Sequence, residues 1–386
     1  MSDNSEQITW LDDEGQARSA RWRSLAGHPA PARVVLADDR LSADAALRLI
    51  QSGTGLLWRG DYQNARHLLQ ALGRRLDAGP GRRSPAKPSA DAPADLAAVF
   101  QAQRRLQARR ALVLGQLLLP FDTDHGVPLP RAPEVRDAGL QAHGPVAEAY
   151  VASLRELLGL VGAFEWRKKG VPIAALGASI HPHHGVFSPV RGEYVDLVAQ
   201  TKLPAAAKPA RVLDVGTGTG VLAAVLARRG LQVVATDLSP AALACAAENL
   251  ERLGVADRVK LQQADLYVKG RFGLVVCNPP WVPAQPSSAL EAAVYDPDSR
   301  MLRGYLAGLV AHLAPQGEGW LILSDLAEHL GLRSRDELLG WVAAAGLQVL
   351  GRIDTRPSHA KAADALDPLH AARAAEITTL WRLGVA

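Results

Sequence analysis

A chain of 386 residues, 48% hydrophobic and 21% charged, has room for two or three domains and an ordinary composition from which to build their cores. No apolar run reaches the ~18 residues of a spanning helix, which excludes a helical membrane protein. A net charge of +4 is mild and does not separate a protein from an RNA partner, and the only two cysteines, Cys245 and Cys277, sit among apolar neighbours instead of at metal-ligand spacing.

The first residues, MSDNSEQITW, are acidic and polar where a signal peptide has a basic start and an apolar stretch, so a cytoplasmic protein is expected. Strands are predicted at Ala32 to Leu36 and Gly55 to Trp58, and helices at Ser42 to Gln51 and Tyr62 to Leu76, which together suggest a small α/β layer. Trp10, Trp22 and Trp58 can stack on bases, but isolated tryptophans mostly serve cores. Ala78 to Asp95 carries four prolines and little apolar content and reads as a flexible linker. Residues 59 to 110 hold eleven Lys or Arg against four acids. That excess can attract phosphates, yet Arg104, Arg105, Arg109 and Arg110 spread around their helix instead of forming a stripe.

Leu96 to Leu119 and Pro145 to Leu160 read as helices separated by a loop, and short strands follow between Val171 and Phe187. His181, His183 and His184 crowd the turn HPHHG. No second cluster completes four ligands, so exposed turn histidines and no metal are expected. Ser188-Pro189-Val190-Arg191-Gly192-Glu193-Tyr194 then opens a helix expected beside a cofactor crevice. From Ala210 strands alternate with helices, at 211 to 215, 231 to 236, 258 to 262, 272 to 277 and 319 to 324, which means a parallel sheet. The last strands, 347 to 353 and 376 to 383, need no helix between them, so the final one can insert antiparallel.

The first of these strands runs into DVGTGTG. Its glycines, Gly216, Gly218 and Gly220, miss the G-x-G-x-x-G spacing of a dinucleotide site. Asp214 lies poorly beside a pyrophosphate and suits a cationic ligand such as S-adenosylmethionine. Thr217 and Thr219 are placed to cap the next helix and to bond the ligand. Asp237, with Leu238 beside it, ends the second strand where an acid accepts ribose hydroxyls; Asp265 follows the third, where it can take an adenine amine hydrogen while Leu266 packs on the ring. At the end of a further strand stands Asn278-Pro279-Pro280-Trp281. The Asn278 oxygen and the Pro279 carbonyl can accept the two N–H bonds of a planar nitrogen, the prolines stiffen the turn, and Trp281 offers a flat wall. Asp296, Asp298 and Arg300 follow in a loop whose acids also fit helix caps.

Residues 210 to 383 thus resemble a class I S-adenosylmethionine-dependent methyltransferase of the small-domain and release-factor glutamine methyltransferase-like group, through DVGTGTG, Asp237, Asp265 and NPPW. The resemblance implies a Rossmann-like seven-stranded sheet with helices on both faces, following a mixed α/β accessory domain. The division expected is an accessory domain at 1–145, a connecting segment at 146–209 and a catalytic domain at 210–386. The implied cofactor is S-adenosyl-L-methionine and the implied partner a macromolecule, either a protein glutamine or an exocyclic amine of ribosomal RNA. A non-catalytic module binding S-adenosylmethionine is the alternative from another class.

Overall fold

Stretches that are apolar without interruption become central strands covered on both faces, because a strand flanked by two helical layers has no solvent side. The computed structural model describes residues 6–78, 95–189, 192–208, 210–286, 291–357 and 367–386. The expected linker at 78–95 lies almost entirely outside the described residues, as do Val190 and Arg191. The chain divides into two compact units, Met1–Ala94 with Gln101–Glu165, and Asp95–Phe100 with Trp166–Ala386.

In chain order the first unit begins with β1 (Gln7–Leu11), β2 (Ala17–Trp22), β3 (Arg33–Ala37), α1 (Ala43–Gln51), β4 (Thr54–Trp58) and α2 (Tyr62–Ala78). There follow α3 (Leu96–Leu114), β5 (Leu117–Phe121), α4 (Arg136–His143), β6 (Tyr150–Ser153) and α5 (Leu154–Lys169). The strands form a mixed six-stranded sheet in the order β1-β2-β6-β5-β4-β3. Ser42 caps α1 by accepting the Ala45 N–H at 3.3 Å, as Ser does at an N-cap. Trp58, Leu72, Leu117 and Leu119 form part of one buried face, and Trp22, Val34, Leu57 and Leu118 part of the other.

The helix expected over 96–119 stops at Leu114. Gly115 and Gln116 make a turn, and the apolar run after them becomes β5, because a short continuous apolar run suits a buried strand as well as a helix. Likewise the helix expected from Pro145 starts only at Leu154, since Tyr150–Ser153 pairs antiparallel with β5.

The second unit holds the antiparallel pair β7 (Val171–Ile173) and β8 (Ala178–Ile180), then α6 (Glu193–Gln200), β9 (Val212–Val215), α7 (Val221–Arg228) and β10 (Val233–Asp237). Next come α8 (Pro240–Arg252), β11 (Val259–Gln263), β12 (Phe272–Cys277), α9 (Arg300–His312) and β13 (Leu313–Ser324). The chain ends with α10 (Leu326–His329), α11 (Arg335–Ala344), β14 (Leu347–Thr355), α12 (His370–Ala375) and β15 (Thr378–Val385). The seven strands lie in the order β11-β10-β9-β12-β13-β15-β14, with β15 antiparallel to both neighbours as its sequence context suggested. Alternate residues feed opposite faces. Val212, Val233 and Leu274 pack with α6, α7 and α8, whereas Leu213, Val234 and Val275 pack with α9 and α11. Strand order reverses between β9 and β12, and an open sheet of this kind has its crevice outside the carboxyl ends at that point.

Candidate active site

Register brings the motifs together. Val215 of β9 pairs with Thr236 of β10 and with Cys277 of β12, so Gly216, Asp237 and Asn278 all leave the sheet at one level. After β9 the chain turns back so tightly that the N–H groups of Gly216 and Thr217 both donate to the Thr236 carbonyl, at 2.9 and 2.8 Å. Gly220 closes the turn at φ +79°, and a Cβ there would lie 3.1 Å from that of Ala246. A side chain would therefore meet both backbone strain and a neighbouring helix. Gly220 is also the N-cap of α7, with no side chain to do the capping, so neither Thr217 nor Thr219 caps that helix. The Thr217 hydroxyl instead donates to Oδ2 of Asp214 at 2.7 Å.

Asp214 is only 1% exposed, and burial pushes its pKa up to about 6, with the nearby Asp237 adding to the shift. Tyr194, in the first turn of α6, is fully packed away. Burial raises its pKa, and the charges of Asp214 and Glu193 add to this, which puts that turn close to Asp214. One carboxylate oxygen of Glu193 is buried without a hydrogen-bond partner, and Ser188 Oγ is likewise. Val190 and Arg191 of the segment expected beside the crevice lie outside the described residues.

The Asp237 carboxylate is pinned by backbone, accepting from the Gly218 N–H on one oxygen and the Ser239 N–H on the other, each at 2.9 Å. Each oxygen retains acceptor capacity. Leu238 beside it is 61% exposed. Asp265 is half exposed and pairs with Arg300 at 2.7 Å. Leu266 has a left-handed backbone, φ +75°; its carbonyl accepts from Thr236 Oγ1 at 2.7 Å, and its side chain lies against Gly304 of α9.

On the other side of the reversal, every residue of β12 is buried up to Asn278. The indole N–H of Trp281 donates to Asn278 Oδ1 at 2.8 Å. Beyond it, Val282 bridges Tyr295, and the Asp296 carboxylate accepts the Met301 and Leu302 N–H groups at 3.0 and 3.1 Å. Asp296 thus satisfies first-turn N–H groups of α9 from outside the helix, whose N-cap is Ser299, and burial raises its pKa.

The turn histidines are half-buried fasteners and not exposed, because α5 and α8 enclose them. His181 Nδ1 lies 2.7 Å from the Arg167 carbonyl, and His183 Nε2 lies 2.9 Å from a Glu248 oxygen that also takes Arg167. Among the described residues no group of three His, Cys, Asp or Glu is placed to hold a metal. Cys245 and Cys277 are buried free thiols.

Sequence reasoning passed over two residues. Met301 Cε lies where a Cβ on Gly216 would come within 2.5 Å, so this side chain covers the glycine turn. Buried Asn249 accepts the His181 N–H at 2.8 Å and donates to the Thr219 carbonyl at 3.1 Å, tying the turn to the histidine loop. An asparagine on the buried face of α8 was the available signal.

The methyltransferase small domain, a family model, matches residues 177–325. Over 165 residues the chain is 38% identical to a release factor glutamine methyltransferase of Cereibacter sphaeroides, a match covering 38% of this chain and 57% of that protein, so the chain spans little more than half that relative's length. Proteins of the same name are matched at greater length: from Deinococcus radiodurans at 33% identity over 54% of this chain and 78% of the relative, and from Xylella fastidiosa at 31% over 55% and 83%. A solved ribosomal protein L11 methylase from Lactobacillus delbrueckii subsp. bulgaricus is more distant, 21% identical with a TM-score of 0.36 over 52% of this chain and 81% of that one. The chain belongs to the release factor glutamine methyltransferase family of class I S-adenosylmethionine-dependent methyltransferases.

Proposed function

We propose that this chain is an S-adenosylmethionine-dependent N-methyltransferase whose acceptor is the side-chain amide of a glutamine in a protein, a release factor by analogy with the relatives' names. The observation that carries the reading is the register that sets Asn278 beside the DVGTGTG turn at the strand-order reversal.

The residues fit the cofactor. Buried Asp214 and the unpartnered Glu193 oxygen suit a cationic amino-acid end, and the pinned Asp237 carboxylate suits the two hydroxyls of a ribose. Asp265 would accept from the adenine amine, with Leu266 and Met301 as apolar walls. When bound, S-adenosylmethionine supplies an electrophilic methyl carbon: its carbon–sulfur bond breaks as the acceptor nitrogen forms a carbon–nitrogen bond, the sulfur keeping the pair as the thioether of S-adenosylhomocysteine.

An amide nitrogen is a poor nucleophile because its lone pair is delocalised over the flat carbonyl system. Asn278 Oδ1 and the Pro279 carbonyl can each accept one of its N–H bonds, which turns the pair toward the donor and stabilises the positive charge that builds on nitrogen. Pro279 and Pro280 hold those acceptors stiffly, and Trp281 gives the amide a surface to lie on. Asn278 is no base, so the surplus proton leaves to water after transfer.

The first unit, which contains the expected accessory region 1–145 except Asp95–Phe100, is proposed to select the acceptor. The alternative of ribosomal RNA rested on the basic window, and three of its arginines are spent on acids: Arg59 on Asp13 and Asp38, Arg75 on Asp44, Arg110 on Asp77. Arg82, Arg83 and Lys87 lie outside the described residues. No described helix is long and apolar enough to cross a membrane, and a release-factor acceptor would place the reaction in the cytoplasm. Incubation with methyl-labelled cofactor and a cell extract, followed by protease or ribonuclease, tests the reading. Label released only by protease supports it, label released by ribonuclease moves the acceptor to RNA, and no incorporation favours a non-catalytic module.

A further inference from the structure

Resting on the reading of Asn278 as the group that turns the acceptor nitrogen, we propose that the Trp281 indole N–H decides which end of the Asn278 amide faces the acceptor. A primary amide has an oxygen end and an NH2 end of nearly equal size, one accepting and the other donating. Only the oxygen end can take a hydrogen from the acceptor nitrogen; the NH2 end would meet it donor to donor.

The indole N–H resolves this ambiguity because it can donate and never accept. It lies 2.8 Å from Asn278 Oδ1, so the oxygen end is held in place, and turning the amide over would set two donors against each other. A carbonyl oxygen has two lone pairs, which leaves one for the acceptor once the indole is bonded. The donor itself is fixed. The Trp281 side chain packs against apolar clusters on both faces of the sheet and against a third containing Val282, Leu326 and Leu330. Two intervening prolines keep the three-residue spacing stiff. A phenylalanine at 281 would keep the flat wall and lose this selection, and a tyrosine hydroxyl, which both donates and accepts, would tolerate either end. Trp281 is on this account a positioning residue acting through Asn278, besides forming a wall.

The test is a double-substitution cycle on the full chain with labelled cofactor and a glutamine acceptor. Trp281→Phe should lower kcat about fivefold to tenfold, the scale of one hydrogen bond, with KM changing less. An aspartate has two equivalent oxygens and nothing to select. In an Asn278→Asp background Trp281→Phe should therefore change kcat less than about twofold. Equal losses in both backgrounds would overturn the inference and leave Trp281 as a wall alone.

A second readout needs no turnover. The indole N–H resonance of Trp281 in a ¹H–¹⁵N spectrum, identified by its loss in Trp281→Phe, should move upfield in Asn278→Ala, and an unmoved resonance rejects the bond. If the unsubstituted protein methylates no glutamine, the functional reading fails, while the resonance still decides the inference.

Discussion

On the proposed function, the two halves of the crevice handle their ligands by different physics. On the β10 and β11 side of the reversal stand acids, Asp214 buried, Asp237 pinned by two backbone N–H groups and Asp265 paired with Arg300. On the β12 side the motif has no titrating group at all, only an amide, two prolines and an indole. Charge suits a cationic cofactor that must be bound and released, whereas a neutral amide must be oriented and needs no charge. The difference predicts that substitutions on one side change affinity and those on the other change turnover.

The largest effect should come from Asn278→Ala, which is expected to lower kcat about a thousandfold while leaving cofactor affinity within about twofold. Calorimetry alongside single-turnover transfer separates the two, and a lost affinity would put Asn278 in the cofactor half. Asp237→Ala is the converse: cofactor binding about a hundredfold weaker, since two charge-assisted hydrogen bonds go, with kcat at saturation little changed.

Acidity offers a test of Asp214. Its pKa in the fold, about 6, exceeds the ordinary 3.8, so the folded protein holds this proton more tightly than the unfolded chain. That contribution to stability is complete below the ordinary range and is lost as pH rises through about 6. Binding of a cation runs the other way, because it favours the ionised form. Affinity for S-adenosylmethionine should therefore fall about tenfold between pH 7 and pH 5, and Asp214→Asn should flatten that dependence. The smallest effect expected is from Arg300→Ala. The Arg300–Asp265 pair is open to solvent, so a rise of about twofold to threefold in cofactor KM is predicted.

Legibility in the sequence followed the same division as burial. Strands buried on both faces, such as VVATD and FGLVVC, and the polar residues at their ends, Asp237 and Asn278, can be read directly, because burial and position fix them together. The first hairpin, QITWL and ARSARW, is not legible in the sequence because its mixture of charged and apolar residues has no clean period of two. The run at 117–121 reads as the end of a helix since nothing local separates a buried strand from a buried helix there. In the site, the placement of these residues at strand ends followed from sequence position, but their partners did not. That Arg300 reaches Asp265 depends on where α9 starts relative to β11, and that Met301 covers Gly216 depends on the same helix. The histidine loop looked exposed because its enclosing groups, Arg167 and Glu248, are supplied by α5 and α8.

One measurement bears most directly on the account: incubation of the purified chain with a purified release factor and S-adenosylmethionine, then peptide mass spectrometry of the release factor. The expected result is one added methyl group on a glutamine side chain, absent when Asn278→Ala replaces the parent protein. An unmodified release factor, or a glutamine methylated equally well by Asn278→Ala, would contradict it.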